Sequence, residues 1–319
     1  MTHENAGLSS MDDSEKRAHP PRSPSADIKR RRDGTLRRPS QRDVGKVGEA
    51  RKRRANDLEG REWTRNSISV WSDLKRDSEE STLKHPAIYP KAMVSRLLDC
   101  FTTSEDQTVL DPFSGSGSTL LAAWLRGKAG VGFEINPEYV NLTRTRQESL
   151  QVEKSIPGGE IKLFGQDARA LPEKLKPGSV DICITSPPYW DILTQRRTAD
   201  SKSIRHYGEM DEDLGRIKDY DEFLAALTEV FTGVLRALRP GGYCLVNVMD
   251  LRKGPHFYPL HSDLAKEMQA GGWTWDDLII WDRRLEYNHM RPLGYPAVFR
   301  INKAHEYILV MQRREETNG

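Results

Sequence analysis

From about Trp63 onward the chain alternates between short unbroken apolar runs and longer segments whose apolar residues recur every three or four positions. The first pattern predicts buried strands and the second amphipathic helices. "SISVW" opens the series as a short β-rich run. In "HPAIYPKAMVSRLLDCF" the residues Met93, Val94, Leu97, Leu98 and Phe101 fall at helical spacing, with Pro86 near the predicted start. "TVLD" (108–111) then predicts a strand, and "STLLAAWLRG" (118–127) a helix closed by Gly127. "GVGFE" (130–134) is the next strand, and "NPEYVNLTRTRQESL" the next helix, with Asn136 as N-cap and Pro137 at its first position. "IKLF" (161–164) and "VDICIT" (180–185) are further strands.

In "DYDEFLAALTEVFTGVLRALRPGG" the residues Phe223, Leu224, Leu227, Val230, Phe231, Val234, Leu235 and Leu238 share one helical face. That helix is expected to stop at Pro240-Gly241-Gly242, before the strand "YCLVNV" (243–248). A helix around 261–270, the strand "DLIIWD" and the final strand "EYILVMQ" complete the series. Strands alternating with helices predict an α/β fold, a doubly wound Rossmann-like sheet of about seven mostly parallel strands with the last one antiparallel. Residues 194–218 form a polar stretch too long for an ordinary connection, so a functional or mobile loop is expected there.

Composition adds a boundary. The net charge of +2 conceals a first stretch, residues 1–60, with 15 Lys and Arg against 10 Asp and Glu. It contains "KRRRDGTLRRPSQR" and "RKRR" with hardly any large apolar residue, which predicts a basic, disordered tail over residues 1–62 and a folded domain over 63–315. Such a tail either gathers nucleic acid electrostatically or merely solubilises. No apolar run approaches a membrane span, and the start lacks the apolar core of a secretory signal. The three cysteines, Cys100, Cys183 and Cys244, sit far apart in apolar surroundings, so reduced core thiols and no metal site are expected. The expected setting is the cytoplasm of a prokaryotic cell, or a phage-encoded protein.

In doubly wound sheets ligands bind beyond the carboxyl ends of the strands. The first such end reads "LDPFSGSGST" (110–119), where Gly115 and Gly117 permit a tight turn and Ser114, Ser118 and Thr119 lead into a helix N-terminus. A plain tight turn would look the same, but Asp111 at its head suits an amine or hydroxyl better than a phosphate. Glu134 ends the second strand, 23 residues after Asp111, where related folds place an acid on ribose hydroxyls. Asp167, in "GQD", follows the third. Either of these two acids alone also suits a helix N-cap. Together the three acids describe a pocket for ammonium, ribose and adenine groups, those of S-adenosylmethionine.

The fourth end, "ICITSPPYWDIL", is a β-branched run stopped by Ser186, Pro187 and Pro188. Consecutive prolines cannot continue a central strand and leave carbonyl oxygens unclaimed by a ladder. Such a carbonyl and the Ser186 hydroxyl can both accept from an exocyclic amine, orienting its lone pair toward a methyl donor. Tyr189, and with it Trp190, is expected to point outward and offer a ring to an unstacked base. A rigid hairpin corner with two core aromatics is the plainer alternative.

"DPFSGSGSTLLAAWLRGKAGVGFEINPEYVNLTRTR" and "SVDICITSPPYW" together resemble the cofactor and catalytic segments of amino-group DNA methyltransferases, which make N4-methylcytosine or N6-methyladenine. "LKHPAIYPKAMVSRLL", containing His85 and Pro86, resembles the family's element over the methionine part of the cofactor. The resemblance covers roughly residues 64–313 and extends to "AHEYILVMQ". It implies that Asp111 and Phe113 contact the methionine end of S-adenosylmethionine, Glu134 the ribose and Asp167 the adenine. It implies that Ser186, Pro187, Pro188 and Tyr189 handle the target amine and base, Ser before Pro-Pro-Tyr leaning toward cytosine.

Such an enzyme must flip its base from double-stranded DNA, the expected partner. No separate recognition domain is visible, so the basic segments 191–218, with Arg196, Arg197, Lys202 and Arg205, and 283–303, with Arg283, Arg284, His289, Arg291 and Arg300, are the candidate DNA contacts beside Trp190. A small reader implies a short site, a dimer, or help from a restriction endonuclease or other system subunit, with monomer and homodimer both left open. Two rivals stand beside this reading. One is an RNA exocyclic-amine methyltransferase, whose members more often carry Asp or Asn before Pro-Pro-Tyr and an added RNA-binding domain. The other is a non-catalytic nucleic-acid-binding module on the same fold.

Overall fold

Apolar runs that are buried on both sides need a layer of helices on each face, and the protein arranges them so. The computed structural model describes residues 54–83, 88–154, 158–191, 213–284 and 292–315. The expectations placed on the tail before residue 54, on His85 and Pro86, on Arg196, Arg197, Lys202, Arg205, His289 and Arg291, and on most of the polar stretch 194–218 lie outside the described residues.

The chain runs through α1 (Gly60–Asn66), β1 (Val70–Trp71), α2 (Ser78–Thr82), α3 (Lys91–Phe101), β2 (Thr108–Asp111) and α4 (Ser118–Leu125). It continues with β3 (Ala129–Phe133), α5 (Pro137–Lys154), β4 (Ile161–Phe164), α6 (Leu171–Lys174) and β5 (Val180–Thr185). Then come α7 (Tyr220–Ala237), β6 (Leu238–Val248), β7 (Leu251–Lys253), β8 (His256–Tyr258), α8 (Leu260–Ala270), β9 (Thr274–Asp282) and β10 (His305–Gln312). Among the described residues eight strands form one sheet in the order β1-β9-β10-β6-β5-β2-β3-β4, and β7 pairs with β8 in a separate hairpin. Within this sheet, among the described residues, only β10 runs antiparallel to its neighbours, β6 and β9, as expected for the last strand. The extra strand is β1, which adds in parallel to β9 through Val70 and Trp71.

Ile182, Ile184, Leu245, Ile308 and Val310 share one buried cluster with Met93, Val94, Leu97 and Leu98 of α3. Cys183, Cys244, Val246, Leu309 and Met311 share the other with Phe223, Leu227 and Phe231 of α7 and with Leu264 and Met268 of α8. Each such large apolar side chain contributes about 1.5–3 kcal/mol by leaving water. Asn136 caps α5 by accepting from the Glu138 N–H at 2.8 Å, and Gly127 ends α4 at φ 70°, both as expected. Packing reaches back to Asn56, which is 4% exposed and donates to the Cys100 carbonyl, so ordered contacts begin before residue 63.

Two helix limits differ from expectation. α3 begins after Pro90, a residue already in extended conformation. α7 stops at Ala237 rather than at Pro240, and Leu238–Gly242 already belongs to β6. The residue before a proline avoids helical geometry. Arg239 is held out by Asp106 at 3.1 Å and Asp181 at 3.3 Å, and the Arg313 guanidinium takes up the Leu238 carbonyl at 2.6 Å.

The small residues of "AGVGF" let α4 lie close on β3. A Cβ at Gly132 would stand 2.6 Å from Leu120 Cδ1, and one at Gly130 3.2 Å from Leu120 Cα. Gly132→Val is therefore expected to overpack this contact and destabilise the fold by about 1–3 kcal/mol. Urea unfolding reads the shift in midpoint, and a wild-type midpoint would refute the close approach.

Candidate active site

Because β2, β3, β4 and β5 are parallel, their carboxyl ends open on one rim. At the first end the chain turns through residues 111–117 into α4. Gly117 takes φ 81°, and a Cβ there would lie 2.5 Å from Thr143 Cγ2 of α5, so only glycine fits. Ser114 N–H donates to the Phe133 carbonyl at 3.0 Å, and Gly115 N–H to Glu134 Oε2 at 2.8 Å. The turn is thus stitched to the end of β3. Arg146 braces it from outside, donating to the Ser116 carbonyl while pairing with Glu79 of α2 at 2.6 Å.

Asp111 lies deeper than the sequence suggests, fully buried beneath this turn. Its carboxylate accepts from Thr185 Oγ1 at 2.6 Å, Tyr89 Oη at 2.9 Å and Phe113 N–H at 3.0 Å. Burial raises its pKa while these donors pull it back. Tyr89 in turn contacts Thr119, whose hydroxyl donates to the Ile184 carbonyl at 3.2 Å.

Above this anchor lies a cavity of about 790 Å³, its open mouth included. Of the residues singled out in the sequence, Phe113, Ser114, Gly115, Ser118, Glu134, Asp167, Ser186 and Pro188 line it. Asp111, Gly117, Thr119, Pro187 and Tyr189 are not among the residues that line it. The sequence reading missed Ile88, Tyr89, Ile135, Gln166, Asp213 and Leu214, which line it together with Pro112, Ser116, Phe133 and Ala168. Gln166 was within reach of inference, being the neighbour of Asp167 in "GQD". Asp213 and Leu214 carry no motif.

Glu134 accepts from Gly115 N–H and, at 2.8 Å, from Asn136 N–H. Burial pushes its carboxyl up to about 7 despite these two donors. Asp167 also caps a short 3-10 turn, accepting from Arg169 N–H at 2.8 Å and pairing with its guanidinium at 2.5 Å. Both sequence readings of Asp167, rim acid and cap, describe it. Among the described residues no cluster of three or more His, Cys, Asp or Glu is arranged to hold a metal.

The corner after β5 differs from expectation. Tyr189 and Trp190 point inward, at 8% and 4% exposure. Tyr189 Oη donates to Glu306 Oε2 of β10 at 2.9 Å. The Trp190 ring packs edge-on against Tyr220 and Tyr258, at centroid distances of 5.2 and 4.9 Å, with Lys253 Nζ 4.0 Å above it. That enclosure holds Trp190 at φ 49°, a conformation unfavourable for a bulky residue by about 1–3 kcal/mol. Trp190 is therefore an anchor of the corner rather than an outward base platform or DNA contact. Ser186 alone of the polar corner residues reaches the cavity, its hydroxyl donating to the Asn247 carbonyl at 3.1 Å.

Arg283, expected to meet DNA, pairs instead with buried Glu306 and lies 4.6 Å over the Trp281 ring. Arg284 is solvent-facing and paired with Asp282 at 2.6 Å. Neither Asn247 nor Glu306 stood out in the sequence, because their partners lie 61 and 117 residues away.

A family model described as DNA methylase, of the N6/N4 class, matches residues 24–145 and 180–318. The Type II methyltransferase M.ScaI of Streptomyces caespitosus is 35% identical over 124 residues, 37% of this chain and 36% of that protein. M.HindIII of Haemophilus influenzae is 34% identical over 104 residues, 29% of this chain and 32% of that protein. The matched stretches span about a third of these relatives' own length. Among solved structures, an S-adenosylmethionine-dependent methyltransferase from Methanosarcina mazei covers 67% of this chain and 95% of its own, with 16% identity and a TM-score of 0.44. A proposed DNA modification methylase from Thermus thermophilus, solved with S-adenosyl-L-methionine, is 30% identical over 48% of this chain and 55% of its own, with a TM-score of 0.33. The family match takes in the glycine turn, the Ser186 corner and β10 alike, and the chain belongs to the N6/N4 DNA methylase family.

Proposed function

We propose that this protein transfers a methyl group from S-adenosylmethionine to the exocyclic amine of a base flipped out of double-stranded DNA, N4 of cytosine in preference to N6 of adenine. One observation carries the reading. The cavity's described lining holds three acidic residues, Glu134, Asp167 and Asp213, and no Lys or Arg, and it includes Ser186 and Pro188. A wall so rich in carboxyl acceptors suits an amine and hydroxyls better than a phosphate. Ile135, Phe133, Ala168 and Leu214 supply apolar surface for a nucleobase.

The residues fit S-adenosylmethionine in this arrangement. Glu134 would accept from the ribose hydroxyls, Asp167 and Gln166 would face the adenine, and the turn under Tyr89 would take the methionine part. When bound, that cofactor supplies an electrophilic methyl group on a sulfonium. At the reacting end Ser186 Oγ, together with the main-chain carbonyl that the prolines leave without a ladder partner, accepts from the target amine. Two acceptors draw the nitrogen lone pair out of conjugation and hold it in line. Ser in the place before Pro-Pro-Tyr supports the preference for cytosine by resemblance to the family.

Beside the site, the β7–β8 hairpin and the segment before β10 offer a basic, apolar rim. Lys303 Nζ and the Arg252 guanidinium flank the Phe257 ring at 4.8 and 5.6 Å, and Tyr295, Phe299 and Ile301 are 79%, 90% and 70% exposed. Cations beside exposed rings suit phosphates and unstacked bases, and this rim is the proposed DNA contact.

Four outcomes test the reading. Incubated with labelled S-adenosylmethionine and either DNA or RNA, the protein should label DNA, and chromatography of the hydrolysate should give N4-methylcytosine. Ser186→Ala should lower that transfer about 100-fold or more, with cofactor binding retained, whereas normal turnover would sink the acceptor role. Because the Glu134 carboxyl is pushed up to about 7, it is protonated below that pH and must lose its proton to accept two hydroxyls. Cofactor affinity should therefore strengthen as pH rises through about 7, by up to tenfold per pH unit below it. Glu134→Gln should bind more weakly and flatten this dependence in calorimetry, and an unchanged profile would contradict the ribose role. Phe299→Ala should weaken duplex DNA binding by about 1–3 kcal/mol without touching cofactor affinity, and equal DNA affinity would remove the rim from the proposal.

A further inference from the structure

A serine hydroxyl serves as an acceptor only if its own proton is directed elsewhere, and at Ser186 three buried residues, Tyr189, Asn247 and Glu306, decide that direction. Ser186 Oγ donates to the Asn247 main-chain carbonyl at 3.1 Å and lies 3.1 Å from Tyr189 Oη. Tyr189 gives its own proton to Glu306 Oε2 at 2.9 Å. Asn247 Nδ2 donates to Tyr189 Oη at 3.0 Å and to Glu306 Oε2 at 2.5 Å. Arg283 pairs with the other oxygen of the same carboxylate. Asn247 and Glu306 are each 3% exposed.

A carboxylate can only accept, and an amide NH₂ can only donate. With those two ends fixed, the Tyr189 proton has one direction. Tyr189 O–H must face Glu306, which leaves Tyr189 Oη an acceptor toward Asn247 and Ser186. Both acceptors open to the Ser186 proton then lie inside the protein. Asn247 Nδ2 also approaches Ser186 Oγ from inside, at 3.5 Å, and what Ser186 presents to the cavity that it lines is its remaining lone pair.

We propose that Glu306 is a positioning residue that acts through Tyr189 and Asn247 to make Ser186 Oγ an acceptor for the target amine. Arg283 braces its carboxylate from the end of β9. A freely rotating hydroxyl would spend part of its time offering a proton to an amine that has only protons to give, and the network removes that loss before substrate arrives. This inference rests on the amine-methylation reading above.

The test uses the full chain, labelled S-adenosylmethionine and genomic DNA from a methylation-deficient bacterial host, with kcat and both KM values measured. Glu306→Gln keeps the shape but brings an NH₂ donor against Arg283, Asn247 or Tyr189. It should lower kcat by about 100-fold while both KM values and the thermal melting curve stay near wild type. Tyr189→Phe should lower kcat in the same way. The double variant should lose far less than the product of the two single losses, because both cut one chain. If Glu306→Gln does not fold, Tyr189→Phe alone decides, and a wild-type kcat there overturns the proposal. A wild-type kcat in folded Glu306→Gln, or losses that simply multiply, also overturns it while the methylation reading stands. A wild-type protein that transfers no methyl group to DNA overturns that reading and this inference together.

Discussion

A carboxylate removed completely from water is destabilising unless its oxygens are bonded, and Asp111 meets that requirement with groups from three separate parts of the chain. Tyr89 arrives from the segment before α3, Phe113 from the glycine turn and Thr185 from the last position of β5. The turn that shapes the cavity and the strand that ends in Ser186 are thereby referenced to one point. Thr119 repeats the link, tying the first turn of α4 to the Ile184 carbonyl. The distance between the cofactor turn and the proline corner is consequently a property of the core, not of two loops that happen to meet.

Glu306 plays a comparable part on the other side of β5. Each of the two carboxylates is buried and each receives a tyrosine hydroxyl, Tyr89 for Asp111 and Tyr189 for Glu306. Neither lines the cavity. Lining acids such as Glu134 and Asp167 meet the ligand, while the buried pair sets where those acids and Ser186 stand. Trp190, boxed by Tyr220, Tyr258 and Lys253, prevents the corner from relaxing out of its left-handed turn.

Much of this was legible in the sequence because burial on both faces forces continuous apolar runs, and capping residues mark where helices begin. "VDICIT", "IKLF" and the Asn136-Pro137 start all express local rules. The rim acids were legible too, since the ends of parallel strands must share one edge. What escaped is tertiary in origin. The depth of Asp111 depends on Tyr89 and Thr185, and the inward turn of Tyr189 on Glu306, 117 residues away. The early end of α7 follows from Arg239 being claimed by Asp106 and Asp181, which no helical periodicity can report.

The place of β10 has a consequence for the order in which the molecule is made. It enters between β6 and β9, so the brace on Tyr189 is supplied by a strand synthesised 117 residues after it. At ribosomal speeds of about 5–20 residues per second, roughly 6–23 s separate the two. In that interval the chain already holds the glycine turn, Glu134 and Asp167, while Tyr189 has no carboxylate to bond. Pairing at such sequence separation is also intrinsically slow. The nascent chain thus completes the wall of its cavity well before it can fix the direction of a single proton there.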